Sequence, residues 1–434
     1  MLAKLKQRLR LRRNTAQKSA PVLGGIGLLP FEILGSEIFP RVVHTERLYD
    51  PWHSTLLSLA CVCTRWRNIV HSTPSLWNQC IWINTRQFSG LQPSRRNRLV
   101  EKYFEALRMC LTRSAPLLVS ISIDWSAFEP DRKDFARAVD LISDAAARIE
   151  FLRVSSLCKD DAGVCVLRAL ERLPTLQALT EIEFSFLGGA VLQPFSVMNA
   201  PRLRRVNLSA GPDPLNLVSF PWPQLTHLTL AARPLACLAV LAKCSNSVSA
   251  VLHHMYTFEP NDTAPTATLL HLTSLSLTVS ATLIQAAGNL NLPALTSLEL
   301  IYDGNTMMLP HLEIFSHLPF GNVRRLTLEF YGAEMIGTAT LCALLHCTPS
   351  VTAIILKSTT YIHNALVNAL VLRADVRSKL FIPQLEFFSI GWSVDNGDLD
   401  LEQLKAMLGS WVVGAGLRRV VYKEEPYHIS ALVT

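Results

Sequence analysis

The chain has 434 residues, of which 49% are hydrophobic and 17% charged; that is enough for two or three domain-sized cores and excludes a mainly disordered polymer. The net charge of +7 suggests a nucleic-acid partner until its placement is read. Lys4, Lys6, Arg8, Arg10, Arg12, Arg13 and Lys18 stand in the first 20 residues with no acid, and removing those seven from 41 bases leaves 34 against 34 acids. A neutral body has little general attraction for phosphate.

Residues 1–27 therefore read as a basic, flexible N-terminal tail. Three roles stay open for it: a solvated end, an import or anionic-surface patch, or a transit-type presequence, since Leu2, Leu5 and Leu9 share a helical face among arginines. No long apolar run follows the charged start, which argues against a secretory signal and for an intracellular protein, cytoplasmic, nuclear or both.

Residues 28–83 predict a compact helical module. Leu29-Pro30 precedes Glu32-Ile33-Leu34 and Ile38-Phe39, and Pro30 suits a helix start. After Asp50-Pro51, the residues Leu56, Leu59, Ala60, Cys63, Trp66, Ile69 and Val70 recur at three- and four-residue steps, the period of one amphipathic helix. Thr73 is placed to cap a turn that begins at Pro74, and Leu76-Trp77 with Ile81-Trp82-Ile83 completes the apolar set. Such a unit is marginal without a neighbour or partner.

The same residues resemble the F-box family. The match reads Leu29-Pro30-x-Glu32-Ile33-Leu34, Ile38-Phe39, Leu56-Leu57-x-Leu59, Val62-Cys63-x-x-Trp66, Ile69 and Ser72-Thr73-Pro74-Ser75-Leu76-Trp77, with one residue more than the usual pattern between Leu34 and Ile38. The resemblance implies a three-helix F-box that docks on the Skp-family adaptor of a cullin–RING ubiquitin ligase. It makes Leu29, Pro30, Ile33, Leu34, Ile38, Phe39, Leu57 and Val62 the adaptor contacts. Cys63, Trp66, Ile69, Leu76 and Trp77 would form the F-box core.

From residue 84 to 434 one phrase recurs, apolar-x-x-apolar-x-apolar, with starts 22 to 34 residues apart. Copies include Leu118-Ile121-Ile123, Leu179-Ile182-Phe184, Leu225-Leu228-Leu230, Leu295-Leu298-Leu300 and Val351-Ile354-Leu356, with a poor one at Val248-Val251-His253. Helical patterns lie between many of them, at 99–111, 135–147, 235–241, 338–345, 365–372 and 401–408. Strand, helix, strand at this period resembles the leucine-rich repeat. The expected fold class is α/β: an N-terminal three-helix F-box, then an irregular solenoid with a parallel β-sheet on its concave face. The fourth and sixth positions of the phrase should face the core and the third and fifth should face out. The asparagine or cysteine that the repeat family carries after the last leucine is replaced by Gly211, Arg233, Ser280, Asp303, Tyr331, Thr359 and Ser393, so the usual side-chain ladder is not expected. Among outward positions, Arg325, Glu329, Phe387 and Arg419 are the candidate target contacts, because arginine and aromatic side chains dominate partner binding.

Chemistry is not expected. None of H-E-x-x-H, a phosphate-binding P-loop, G-x-S-x-G or G-x-G-x-x-G occurs. The ten cysteines are scattered and include no C-x-x-C pair, so they read as reduced and mostly buried, with no metal and no cofactor. Residues 263–298 lack Asp, Glu, Lys and Arg, but Thr, Ser, Asn and His271 interrupt them, so no membrane span is expected. The sum is a non-catalytic substrate-recognition subunit that bridges an adaptor to a protein target. The alternative is a leucine-rich-repeat scaffold unconnected with ubiquitination.

Overall fold

The structure, a computed structural model, describes residues 29–40, 53–78, 81–84, 91–124, 132–156, 173, 175–186, 195–197, 199–210, 218–254, 265–279, 281–302, 320–331, 344–358, 385–392, 419–424 and 428–429. The chain divides into two compact units. One takes residues up to Gln79 together with Arg108–Leu117; the other takes Cys80–Leu107 and Leu118–Thr434.

The smaller unit is helical. Pro30 precedes a single α turn, Phe31–Ile33 (α1), which widens into a π turn over Leu34–Ile38. The Phe39 N–H donates to the Leu34 carbonyl five residues back. This follows from the side chains: at about 100° per residue, an α-helix would set Leu34 and Phe39 roughly 140° apart and strand one of them in water. The wider turn brings both to one face, and both are fully buried. It thereby absorbs the extra residue between Leu34 and Ile38.

The amphipathic run expected to be one helix is two, His53–Ala60 (α2) and Thr64–Ser72 (α3). Cys63 sits in extended backbone and its Sγ accepts from the Trp66 N–H at 3.4 Å, so it caps α3 rather than continuing α2. The periodicity hides the break because Leu56 and Ala60 before it and Ile69 and Val70 after it all reach the same core. Thr73 precedes a short 3₁₀ turn, Pro74–Leu76, as expected, but its hydroxyl does not cap that turn. It donates back to the Ile69 carbonyl at 2.7 Å. Trp77 is fully buried and its indole N–H donates to the Val70 carbonyl at 2.6 Å.

The larger unit is a repetitive α/β structure built on one 14-stranded sheet. Its strands are Ile81–Asn84 (β1), Val119–Asp124 (β2), Ile149–Ser156 (β3), Glu181–Phe186 (β4), Arg205–Ala210 (β6), His227–Ala232 (β8), Ser249–His254 (β9), Ser274–Thr278 (β11), Ser297–Tyr302 (β13), Arg325–Phe330 (β14), Ala353–Ser358 (β15), Phe387–Trp392 (β16), Arg419–Glu424 (β17) and His428–Ile429 (β18). They lie side by side in chain order, every pairing from β1 to β17 is parallel, and β18 returns antiparallel. Two-stranded parallel pairs, Phe195–Ser196 (β5) with Val218–Ser219 (β7) and Ala267–Thr268 (β10) with Leu290–Asn291 (β12), form between repeats. This is a leucine-rich-repeat-like solenoid.

Its core is two unbroken ladders. Ile121, Leu152, Ile182, Val206 and Leu228 stand in register and continue through Leu275, Leu298, Leu326 and Ile354. Two residues on, Ile123, Val154, Phe184, Leu208 and Leu230 continue through Leu277, Leu300, Leu328 and Leu356. All are buried. The β9 copy needs a correction: Ala250 and Leu252 fill its inward positions, while Val251 and His253 face out. A shift of one residue exchanges the two faces of a strand, and a small alanine in place of a leucine conceals the true register.

A different ladder stands in for the missing asparagines. At the second position of the phrase, the hydroxyls of Thr180, Thr226, Thr273, Thr296 and Thr352 donate to the carbonyls of Glu150, Arg204, Val248, Thr273 and Arg324 in the preceding repeat, at 3.1 to 3.3 Å. The same carbonyls accept the threonine N–H and, except at Glu150, that of the next residue. At these five repeats the threonine stitch therefore lies just before the strand.

Helix Pro93–Arg113 (α4) follows β1, and Arg132–Ser143 (α5) follows β2. The Tyr103 hydroxyl of α4 donates to the Trp82 carbonyl at 2.7 Å, which occupies a backbone acceptor of the outermost strand. Arg137 of α5 grips Glu101 with two N–H···O bonds of 2.5 and 2.8 Å and lies over the Phe104 ring. Pro234–Leu241 (α6) is apolar on nearly every side and correspondingly buried, and Ala281–Ala287 (α7) occupies the next-but-one repeat. The helices expected at 365–372 and 401–408, and most of that at 338–345, lie outside the described residues.

Candidate binding surfaces

On the helical unit the sequence-derived contact residues separate into two groups. Pro30 is exposed, and Ile33, Leu57 and Val62 are 41%, 41% and 55% exposed. Leu29 and Ile38 are half-buried. Leu34 and Phe39 are corrected from contact residues to core residues: both are fully buried, and the Phe39 ring meets Trp66 edge-on at 5.0 Å. The physical reason is the π turn, which points both side chains inward. Of the expected core, Ile69, Leu76 and Trp77 are fully enclosed, while Cys63 and Trp66 are only half-buried.

Phe31, 44% exposed, joins the exposed group although sequence reasoning does not single it out. It occupies the variable position of the Leu-Pro-x-Glu pattern, so family resemblance says nothing about it. The available signal is an aromatic residue one step after a helix-starting proline. Arg65 of α3 donates to the Leu29 carbonyl at 2.5 Å, tying the segment before α1 to α3.

On the open face of the sheet, Arg325 is exposed, Glu329 and Phe387 are half-buried, and Arg419 begins β17 with its side chain outside the described residues. The structure does not present these as one exposed set. Instead it gathers Glu329 with residues that sequence reasoning leaves ungrouped. The Lys357 ammonium lies 2.7 Å from Glu299 and 3.4 Å from Glu329, and the Tyr331 hydroxyl donates to Glu329. Glu299, Glu329 and Lys357 come from three adjacent strands; Glu329 and Lys357 are register partners, as are Glu299 and Thr327. His253 shares a hydrogen bond of 3.2 Å with Thr278 across β9 and β11.

Burial raises the Glu299 pKa, but the hydrogen bond and charge of Lys357 outweigh that and hold it below the ordinary carboxylate value. Burial likewise works against the charge on Lys357, and bonding to Glu299 overrides it to raise its pKa. Burial lowers the His253 pKa, opposed in part by Glu299 and Glu329. The hydrogen bond to Glu329 raises the Tyr331 pKa. Toward the N-terminal repeats, Arg153 and Glu183 approach to 3.4 Å and Arg205 and Glu181 to 3.7 Å. The face is thus mixed in charge and largely self-paired. Ser276 and Thr327, expected to point outward into water, are buried.

Among the described residues, no group of three His, Cys, Asp or Glu side chains could hold a metal ion. No helix among them is long and apolar enough to cross a membrane.

No family model matches the chain, and no curated protein does. Among solved structures, the chain is similar to the leucine-rich repeat-containing protein LegL7 from Legionella pneumophila, at 15% identity over 74% of this chain and 89% of that one, with a TM-score of 0.37. So low a score carries no argument; the solenoid rests on the register of the sheet itself.

Proposed function

We propose that this chain is a non-catalytic bridging protein whose solenoid captures a protein target while its helical unit docks on a Skp-family adaptor, as the substrate-recognition subunit of a Skp–cullin–F-box ubiquitin ligase. The observation that carries the reading is the set Pro30, Phe31, Ile33, Leu57 and Val62. A unit this small has every reason to bury such side chains, yet it leaves them in water while Leu34, Phe39, Ile69, Leu76 and Trp77 fill its core. The extra residue between Leu34 and Ile38, which departs from the F-box pattern, is taken up by the π turn without displacing either flank. On this reading no bond is made or broken by the chain. The ligase gains rate because the bridge raises the concentration of target lysines near the loaded ubiquitin carrier.

The test is capture of the full chain by purified Skp-family adaptor. Ile33→Asp with Leu57→Asp changes only exposed positions, so folding should survive and capture should fall at least tenfold. Equal capture of wild type and the double variant would overturn the docking surface, and no capture of either would overturn the ligase reading.

A second reading, a repeat-built scaffold with no link to ubiquitination, is supported at least as directly. Leu34 and Phe39, which the F-box resemblance assigns to the adaptor, are consumed by the unit's own core. This reading expects no capture by the adaptor from either protein.

A further inference from the structure

A second feature of the helical unit takes no part in either reading. His71 stands in the last turn of α3, and its ring stacks on that of Trp77, with centroids 6.3 Å apart and 15° between the planes. Arg113, the last residue of α4, lies over the same indole at 4.8 Å and contacts His71 Nδ1 with a guanidinium N–H. Arginine has only donors and keeps its proton at any physiological pH. The histidine nitrogen facing it must therefore be an acceptor, which an imidazole offers only when neutral.

The contact is consequently conditional. A proton on Nδ1 turns the acceptor into a donor and sets one cation against another. The charged groups acting on His71 are Arg113 from α4 and Arg67 one turn back on its own helix, both positive. Burial first, then Arg113, then Arg67 hold its pKa below the ordinary imidazole value.

We propose that His71, Trp77 and Arg113 form an acid-released latch, in which protonation of His71 ejects Arg113 and frees the closing turn of α4 from the helical unit. The position matters because α4 is divided: its residues through Leu107 belong with the solenoid, whereas Arg108–Leu117 belong with the helical unit. The latch holds Arg108–Arg113 against α3 within the helical unit at neutral pH. Trp77 itself stays anchored by its bond to the Val70 carbonyl, so release loosens the end of α4 without dismantling the core beneath it.

The sign follows from linkage. A histidine whose folded pKa lies below its unfolded one, about 6.5, contributes its full stabilisation above that value. The contribution declines as pH falls through it, until the folded pKa is passed.

Hydrogen exchange on the full chain, corrected for intrinsic rates, tests the latch between pH 7.5 and 5.5. Peptides covering 108–114 should lose about tenfold in protection at the lower pH, while peptides from β13 and β14 hold theirs. His71→Gln keeps an acceptor that does not titrate, so its protection should stay flat. A flat profile in the wild type, or a fall in His71→Gln equal to that of the wild type, would overturn the proposal. If His71→Gln fails to fold, exchange at the His71 imidazole carbon reads its titration directly in the wild type; an ordinary or raised midpoint sinks the latch, and a lowered one that moves up in Arg113→Met upholds it.

Discussion

The two units meet the same need, burying apolar surface, in opposite ways. The solenoid spreads the task over strand after strand, with two inward side chains from each in ladders that run from β2 to β15. The helical unit concentrates it in a few large groups, with Trp77 and Phe39 among the largest fully enclosed side chains of the molecule. Local damage should therefore stay local in the solenoid, where each repeat is held by its neighbours, and be general in the helical unit, where few contacts can compensate.

The largest expected effect is Trp77→Ala. It removes an enclosed indole together with its hydrogen bond to the Val70 carbonyl, and should cost about 3–5 kcal/mol. Limited proteolysis should cut throughout 53–78 while the strands stay protected; equal loss in both units would break the contrast. Leu298→Ala, at a fully buried ladder position, should cost about 2–5 kcal/mol, with exchange rising mainly in β11, β13 and β14. Spread to β2 or β16 would show that the solenoid is more cooperative than its nearest-neighbour construction implies.

Smaller effects sharpen the picture. Thr296→Val keeps shape and removes one stitch between repeats, which should cost about 0.5–1.5 kcal/mol in a denaturant titration. Lys357→Met should cost under about 1 kcal/mol, since the charges are partly exposed, and should flatten acid sensitivity. The lowered Glu299 pKa contributes stability at neutral pH that is lost as pH falls through the folded value. Least of all, deletion of Ser36 should be nearly silent in melting and in adaptor capture, because Leu34 and Phe39 would then stand four residues apart, about 40° around an ordinary α-helix.

The repeating phrase suffices by itself to place most strands of the solenoid. Where it misleads, the cause is local. At β9, Val251 has the look of a core residue, and only pairing with Leu228 and Leu275 puts Ala250 there instead. The threonine stitches are invisible in the sequence because threonine in a strand-rich chain is ordinary until its hydroxyl meets a carbonyl some twenty or thirty residues earlier. In the helical unit, the pattern locates Trp77 and Ile69 in the core. It cannot tell that Leu34 and Phe39 turn inward, since that depends on a helix type with no sequence signature of its own. Of the candidate surfaces, the F-box resemblance singles out Ile33, Leu57 and Val62 but not Phe31, and nothing in the sequence groups Glu299, Glu329 and Lys357.

What the chain determined alone was periodicity: two inward positions per strand, a helix or turn between strands, and a separate helical stretch ahead of them, because side-chain alternation is a property of the local backbone. What only the tertiary structure decided was which of two equally apolar residues is enclosed, which carbonyl a hydroxyl meets, and which charges share a site. Those outcomes depend on distances between residues remote in sequence, and a one-residue change in register or helix pitch reverses them at almost no cost in composition.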